Sequence, residues 1–308
     1  MAKSTDVVVD VTLTNFVREF PYAMQTFAQD DAAPSTPVGS FKGRFKSLGE
    51  ELMDVHVDDL AGERAPSNEI GHDVSETTYL CDEYRLRQLV TDKEQKAAPP
   101  GLDMMRQAAI NVAWALKLRR ELRVATLAAA TSNDSTPANN WNAAAGTIVA
   151  DCNAAITSFK ALFAIAPNTM ILGDNVADAI AGQADIISLL QTAAALQQPW
   201  NMMTLLSGQQ LPSHMFGCKV SVPSIMHNTA KKGAARTLAK VWGDEVYFTY
   251  SSQSPQGMSW ARTFESIRPL IVRWRSSDPE GWYIKAVNEY EIQEIHSNAI
   301  WKLIDVLS

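Results

Sequence analysis

A long segment without glycine or proline, residues 102–129, constrains the fold of this chain more than any other feature. Its apolar residues recur at the spacing of one helix face, as Ala108 and Val112 do, and this periodicity predicts a single amphipathic helix. Pro99 and Pro100 are expected in its first turn, where proline is favoured. At 1.5 Å per residue the helix is a rod of roughly 40 Å. The rest of the chain must therefore pack along a rod that is longer than a small domain is wide.

The composition is that of a folded protein. Of the 308 residues, 46% are hydrophobic and 20% are charged, which excludes disorder of the whole chain. The length corresponds to about two domains or to one elaborated domain. A net charge of −7 excludes the uniformly basic surface typical of many nucleic-acid-binding proteins. Three widely separated cysteines argue against a disulfide framework, and the sequence shows neither a signal peptide nor a membrane span. We therefore expect a soluble, intracellular protein.

The first 40 residues have too few apolar side chains to form a core of their own. They contain one strand-like alternation of apolar residues, followed by three prolines. The alternation consists of Val7, Val9, Val11 and Leu13. We predict an N-terminal arm that lies on another surface, either along a neighbouring copy or under the chain's own long helix.

Residues 41–92 are predicted to form a long acidic hairpin. Two β-like runs, residues 51–57 and 84–90, are separated by glycine, proline and asparagine, which are typical of turns. A two-stranded ribbon is marginally stable alone in water, so this one is also expected to pack against another surface.

The residues after the long helix mix helices and strands. A second helix is predicted with one apolar face, formed by Cys152, Ala155, Ile156, Phe159, Leu162 and Phe163. A short buried strand at residues 169–172 precedes a helix that Asp174 or Asn175 can cap. Later strands are predicted at residues 241–250, 269–275, 282–290 and 300–307, the middle two as a hairpin. This order predicts an α+β fold rather than regular βαβ units.

Charge is distributed unevenly along the chain. Residues 50–83 contain eleven acidic residues against Arg64 alone, a net charge of −10. Residues 85–123 contain nine basic and four acidic residues, a net charge of +5. Two interpretations are open: both segments are solvated faces, or they form complementary surfaces that meet between neighbouring copies. On the second interpretation, the predicted contact residues, with the apolar ones of the arm, are Val7, Val9, Val11, Leu13, Asp58, Asp59, Glu63, Arg64, Glu69, Asp73, Arg85, Arg87, Arg119, Arg120 and Arg123.

No motif in the sequence indicates catalysis or a cofactor. The stretch GSFKGRFKS, residues 39–47, lacks the glycine and lysine spacing of a phosphate loop, and no GxSxG or HExxH motif is present. His214, Cys218 and His227 could in principle bind zinc, but no CxxC-type element accompanies them. We therefore predict no catalytic, cofactor or metal site.

Four strings in order along the chain resemble the major capsid proteins of tailed bacteriophages, whose Hong Kong 97-type fold is shared with encapsulins. Residues 99–127 are similar to the spine helix of that family, and residues 166–186 to the strand, turn and helix that follow it. The stretches VWGDEVYFTY and VNEYEIQEIHSNAIWKLIDV are similar to its later strands. The resemblance covers nearly the whole chain, and its strings encode packing rather than chemistry.

The resemblance implies a role for each segment. Residues 1–40 would be the N-arm, residues 41–92 the extended loop, residues 93–131 and 242–308 the peripheral domain, and residues 132–241 the axial domain. It implies a structural protein, not an enzyme, that assembles through hexamers and pentamers into an icosahedral phage head. Its expected partners are further copies of itself, packaged double-stranded DNA held by weak non-specific contacts, and a portal. No membrane is expected among them. The expected location is the virion, after assembly in the cytoplasm of the host bacterium.

Some members of the family begin with a long scaffolding segment, whereas the arm here starts within the first 40 residues. This favours a separate scaffolding protein, or none, and cement proteins are a further class of partner. Two alternatives remain open: an encapsulin-type compartment with an enzyme as cargo, and a soluble α+β enzyme with an unrecognised site.

Overall fold

The computed structural model describes residues 8–19, 26–48, 60, 74–142, 147–183, 186, 211–231 and 233–307. Within them, the helices are α1 (Val11–Glu19), α2 (Gln29–Ala32), α3 (Asp92–Ala97), α4 (Met104–Ala129), α5 (Ile148–Phe163) and α6 (Asp174–Gly182). The strands are β1 (Val8–Val9), β2 (Ser35–Pro37), β3 (Lys42–Leu48), β4 (Val74–Leu80), β5 (Asp82–Thr91), β6 (Asp134–Ser135), β7 (Thr169–Leu172), β8 (His214–Met215), β9 (Cys218–Ser221), β10 (Met226–Asn228), β11 (Leu238–Lys240), β12 (Val246–Thr249), β13 (Ala261–Ser277), β14 (Glu280–Glu294) and β15 (Ile300–Leu303). The chain is therefore α+β, as its sequence predicts.

Helix α4 begins after the two prolines rather than at them. Asp103 is its N-cap, and the Asp103 carboxylate accepts hydrogen bonds from the backbone N–H groups of Met105 at 3.0 Å and Arg106 at 3.3 Å. This satisfies two of the N–H groups that the first turn leaves without a partner. Pro99 and Pro100 precede the cap, so their predicted place in the first turn is wrong. Beyond the cap α4 is unbroken to its end, which confirms the predicted rod.

Helix α4 joins two hydrophobic cores. Near its N-terminus, Ala108 and Val112 pack with α1, β5, β13 and β14 in the smaller core. Near its C-terminus, Val124 and Ala128 belong to the larger core, which contains α5 and α6. Because burial of apolar surface stabilises each core, both cores contribute to the stability of this one helix.

The smaller core is covered by a sheet with the strand order β1-β13-β14-β5, in which β2 also pairs with β13. Strands β13 and β14 form the predicted hairpin, and both extend well beyond the predicted runs. Residues 84–90 form a strand, as predicted, but it is part of β5, which pairs with β14 in this sheet. This run thus pairs with another surface, as expected, and its predicted hairpin partner lies outside the described residues.

The ribbon of this region is formed instead by β3 and β4, which pair in antiparallel orientation as a separate two-stranded sheet. Lys42 is opposite Leu80 at one end, and Leu48 is opposite Val74 at the other. The predicted run at residues 51–57 lies outside the described residues.

The larger core surrounds a six-stranded sheet with the order β6-β15-β12-β7-β9-β8. The predicted strand β7 is buried along its whole length and lies in the middle of this sheet. Helix α5 presents its predicted apolar face to the core, with Phe159 fully buried, but the side chain of Leu162 is 44% exposed. Leu162 is therefore wrongly assigned to that face.

Gly173, rather than Asp174 or Asn175, is the N-cap of α6. A Cβ atom at Gly173 would lie 1.9 Å from the carbonyl oxygen of Gly243. Only glycine allows this close approach of two backbones, and the predicted side-chain cap is wrong because the cap position is fixed by packing.

The N-terminal alternation does not continue as a strand. Val9 pairs with Val272 of β13, but the carboxylate of Asp10 then accepts a hydrogen bond from the backbone N–H of Leu13 at 2.9 Å and begins α1. In this helix Val11 is 64% exposed whereas Leu13 is buried. The predicted single apolar face is therefore wrong from Val11 onward.

Candidate functional site

Among the residues predicted to contact a neighbouring copy, those that the structure describes do not form one surface. Some lie outside the described residues: Val7, Asp58, Asp59, Glu63, Arg64, Glu69 and Asp73. Three are enclosed by their own subunit: Leu13, Arg120 and Arg123. The others are exposed: Val9, Val11, Arg85, Arg87 and Arg119.

Leu13 is a core residue of its own subunit. With Val17 it forms the buried side of α1, and both belong to the smaller core with Ala109 of α4. Of the two places expected for this side chain, on a neighbouring copy or under the chain's own long helix, the structure shows the second.

Glu121 of α4 is a fully buried carboxylate that connects three segments. Its Oε1 accepts hydrogen bonds from the backbone N–H of Ala28 at 2.9 Å and from the indole N–H of Trp242 at 2.6 Å. Its Oε2 accepts from the backbone N–H of Gln29 at 2.9 Å. Burial raises the pKa of Glu121, and the three N–H donors oppose part of this shift. The carboxylate therefore ties the start of α2 and the loop before β12 to α4.

Arg120, next to it, is paired within the subunit. Its guanidinium lies 3.0 Å from the carboxylate of Asp30 and 3.8 Å from that of Glu265 on β13. Burial raises the pKa of Glu265, and the positive charge of Arg120 opposes this shift. Because Arg120 is buried between α4, the α2 segment and β13, its charge is not presented to a neighbour.

Arg123 is similarly engaged. It donates a hydrogen bond to the hydroxyl of Tyr290 at 2.7 Å, and its guanidinium carbon lies 3.9 Å from the ring centroid of Tyr84. The two tyrosine rings are 4.6 Å apart. Arg123 thus fastens α4 to β5 and β14 through a charge-assisted hydrogen bond and a cation–π contact.

Arg85 and Arg87 form a second, different environment, on the face of the sheet opposite α4. In the register, Arg87 is opposite Lys285 and Leu86 is opposite Ala286. Ala286 belongs to the core beneath α4 and side chains alternate along a strand, so Arg85, Arg87 and Lys285 lie on the other face. A pocket with a volume of about 440 Å³ is lined by Arg85, Leu86, Arg87, Trp274 and Lys285.

This concave face combines cations with aromatic rings. The guanidinium of Arg87 lies 4.7 Å from the centroid of Tyr283, which stacks on Trp274 at 5.2 Å. Arg85 has an exposed ion pair with Glu83 at 3.4 Å, which solvent screens. The face can therefore receive an acidic segment. We refer to Arg85, Arg87, Lys285, Trp274 and Tyr283 as the cationic face.

The root of the β3–β4 ribbon packs around Phe264 of β13, which is fully buried. Tyr79 stacks on Phe264 at 4.8 Å, and Phe45 lies 5.0 Å from it. Gly43, opposite Tyr79 in the ribbon, leaves space for that ring, because a Cβ atom there would lie 2.6 Å from the Tyr79 hydroxyl. The ribbon is therefore held at its root by aromatic contacts.

Sequence reasoning missed two charged residues that organise the subunit. Glu121 lies on the same helix face as Val124 and Ala128, and a charge within an apolar stripe was the available signal. Arg262, fully buried, donates hydrogen bonds to the carbonyl oxygens of Ser252 and Gly257 at 3.2 and 2.8 Å. These carbonyl groups belong to the loop directly before β13, and no sequence pattern marks them because every residue carries a backbone carbonyl.

Of the three residues considered for zinc, Cys218 and His214 have other hydrogen-bond partners, and His227 lies on β10. The Cys218 thiol donates to the carbonyl oxygen of Pro167 at 3.3 Å, and burial raises its pKa to about 11. His214 hydrogen-bonds Ser213 at 3.2 Å. Over the described ranges, no group of three or more His, Cys, Asp or Glu residues could hold a metal ion. In the same ranges, no helix is both long enough and apolar enough to cross a membrane.

Comparison with known proteins identifies the architecture. No family model and no curated protein matches the sequence. A phage-related protein from Bordetella bronchiseptica RB50 has a similar structure, with a TM-score of 0.67 and 17% identity over 97% of this chain and 98% of that one. The capsid of cyanophage P-SCSP1u has a TM-score of 0.59 and 10% identity, over 90% of this chain and 87% of that one. A virus-like particle from Pyrococcus furiosus has a TM-score of 0.54 and 10% identity, over 89% of this chain and 90% of that one. The chain therefore has the capsid fold that its sequence resemblance predicts.

Proposed function

We propose that this chain is a major capsid protein that assembles through hexamers and pentamers into an icosahedral phage head around double-stranded DNA. The observation that carries the proposal is the capsid fold, which extends over almost the whole chain. The ribbon adds support, because a two-stranded sheet held at its root is better stabilised when a neighbour covers it. A structural role also fits the charged side chains of α4, which serve packing within the subunit.

We retain the segment roles as part of this proposal: residues 1–40 as N-arm, 41–92 as extended loop, 93–131 and 242–308 as peripheral domain, and 132–241 as axial domain. Strands β12 and β15, both from residues 242–308, share a sheet with β7. On this assignment the C-terminal segment contributes to both domains. A portal, scaffolding and cement proteins, and assembly in the host cytoplasm, belong to the same proposal.

The cationic face supports a specific contact in such a shell. Residues 50–83 carry a net charge of −10, and the cationic face presents Arg85, Arg87 and Lys285. Opposite potentials favour correct register between copies. We therefore assign the acidic segment of one copy to the cationic face of a neighbour.

Electron microscopy of the full chain after expression tests the proposal, with closed shells as the expected result. The variant Arg85→Glu/Arg87→Glu should form few shells at low salt, whereas Lys93→Glu/Lys96→Glu, an equal charge change on α3, should assemble normally. Reversal of Glu63, Glu69 and Asp73 to lysine should impair assembly as the arginine variant does, most strongly at low salt, since the Debye length is about 10 Å at 0.1 M salt. Normal shells from both reversed variants would refute the contact, and small soluble particles under all conditions would refute the capsid function.

One alternative is an encapsulin-type compartment that encloses protein rather than DNA, and the similarity to a virus-like particle from Pyrococcus furiosus fits a shell of either kind. Particles purified from their natural source distinguish the two. A capsid contains nuclease-protected DNA, whereas a compartment contains a second protein in fixed proportion.

A further inference from the structure

The β10–β11 ribbon carries basic residues in a part of the chain that has no acidic ones. From residue 186 to residue 243 the sequence has five Lys or Arg residues and no Asp or Glu. Two of the five are paired with acids from elsewhere: Lys219 with Asp31 at 2.6 Å, and Lys240 with Asp174 at 3.0 Å. The ribbon is therefore a local positive feature on a chain whose net charge is −7.

The tip of this ribbon, residues 229–237, carries two solvent-exposed basic side chains. Lys231 and Arg236 are both exposed. Within the described part of the chain, neither side chain has an ion pair or hydrogen bond. The charges of Lys231 and Arg236 are thus unpaired among the described residues.

Hydrogen bonds hold the two ends of the tip together. The side-chain oxygen of Asn228 accepts hydrogen bonds from the backbone N–H groups of Ala230 at 3.1 Å and Thr237 at 3.0 Å. The backbone N–H of Thr229 donates to the carbonyl oxygen of Thr237 at 2.9 Å. At the root of the ribbon, the backbone N–H of Val241 donates a hydrogen bond to the carbonyl oxygen of Ile225, a buried residue, at 3.0 Å. The chain therefore presents the two charges from an ordered support, which lowers the entropic cost of binding.

The composition of the tip favours phosphate over protein as its partner. Residues 229–237 are alanine, glycine, threonine, lysine and arginine, with no aromatic or large apolar side chain. Protein interfaces depend on large anchors and are depleted in lysine. Phosphate groups are bound by lysine, arginine, hydroxyl and backbone N–H groups, all of which the tip contains. The large apolar residues of the ribbon, Met226 and Leu238, lie on its strands rather than in the tip.

We propose that the tip of the β10–β11 ribbon contacts the phosphate backbone of double-stranded DNA, without reading its sequence. The inference rests on the proposed capsid function for its biological setting. Lys231 and Arg236 supply about two phosphate contacts in each copy, so each contact is weak. The contacts become significant when many copies surround one DNA molecule.

Binding of a short fluorescein-labelled DNA duplex to unassembled full-length subunits tests the inference, measured by anisotropy over a range of salt concentrations. Lys231→Ala/Arg236→Ala should weaken binding roughly tenfold at low salt and reduce the slope of log K against log salt by about 2. The control Lys93→Ala/Lys96→Ala removes two exposed charges from α3 and should leave both quantities close to the wild-type values.

Shell formation by the same variants separates this inference from the proposed function. The tip variant should form normal shells in the electron microscope. Unchanged DNA binding, or an equal loss in the α3 control, would overturn the inference. Loss of shells with unchanged DNA binding would also overturn it and make the tip a contact between subunits. If the wild-type chain forms no shells, the capsid function fails while the binding assay still reports on the tip.

Discussion

At the scale of single residues, the charges inside this subunit act as ties between segments that are distant in sequence. Glu121 holds two backbone N–H groups of the α2 segment and the indole of Trp242. A carboxylate without solvent is costly unless its oxygens are hydrogen-bonded, and here both oxygens are. Glu121 is therefore one of two charged ties, with the ion pair of Arg120 and Asp30, that hold the α2 segment on α4.

Replacement of Glu121 should destabilise the subunit by an amount that depends on the substitution. Glu121→Ala leaves three N–H donors without their acceptor and should cost roughly 3 kcal/mol or more. Glu121→Gln retains one acceptor oxygen and should cost less. Urea unfolding of unassembled subunits measures both, and Glu280→Gln, at the exposed first residue of β14, is a control that should leave the stability unchanged.

The same variants predict a pH dependence. Burial raises the pKa of Glu121, so the folded protein binds a proton at a higher pH than the unfolded chain does. The resulting stability is present below the unfolded pKa and is lost as the pH rises through the folded pKa. The wild type should therefore gain stability relative to Glu121→Gln when the pH is lowered from 7 toward 5. A difference that is constant with pH, or that shrinks at low pH, would contradict this.

At the scale of elements, the success of a prediction depended on whether the controlling contact was local. The periodicities of α4, α5 and β7 report burial on one or both faces, and all three elements are found. The arm alternation is the exception, because its failure has a local cause: the backbone N–H of Leu13 donates a hydrogen bond to the carboxylate of Asp10, and a helix begins there.

In strand pairing and in the site, by contrast, the controlling contacts join residues that are distant in sequence. Residues 84–90 were recognised as a strand, but their partner β14 lies about two hundred residues later, and no local signal identifies it. Of the predicted basic contact residues, Arg85 and Arg87 lie on a common face of the sheet. Arg120 forms an ion pair with Asp30, and Arg123 donates a hydrogen bond to Tyr290, so both are engaged within the subunit. A sequence pattern marks a charge but does not show whether the fold neutralises it.

The ribbon root provides a prediction at this scale. Gly43→Ala places a methyl group 2.6 Å from the Tyr79 hydroxyl, so the ring must leave its stacked position on Phe264. Such overpacking costs about 1–3 kcal/mol and should loosen the ribbon. Limited proteolysis should cut this ribbon faster in the variant. Gly39→Ala is the matched control, because a Cβ atom there meets nothing within 4 Å. Equal cleavage of the two variants would show that the Tyr79 contact does not hold the ribbon.

At the scale of the whole molecule, the distribution of lysine bears on how a shell is held together. Some members of the resembled family join a loop lysine covalently to an asparagine of a neighbour. That reaction needs an uncharged amine, and residues 47–92 contain no lysine. Their one basic residue besides Arg85 and Arg87 is Arg64, and arginine stays protonated because its pKa is above about 12.

We therefore expect a shell held by non-covalent contacts or by added cement proteins. Mature particles boiled in detergent and reductant should give one band near 33.8 kDa for this chain. A ladder of covalent oligomers would contradict the prediction and would implicate Lys42 or Lys46, which are exposed at the ribbon root.

The sharing of α4 between two cores also makes the helix a lever. Its 26 residues give a length of about 39 Å, with one end embedded in each core. If the smaller core pivots by about 10°, the far end of a rigid rod of this length moves by roughly 7 Å. A small rotation of the smaller core would thus move the C-terminal end of α4 by several ångströms. Glu121 and Arg120, which lie between the two ends, are the ties that such a movement would strain first.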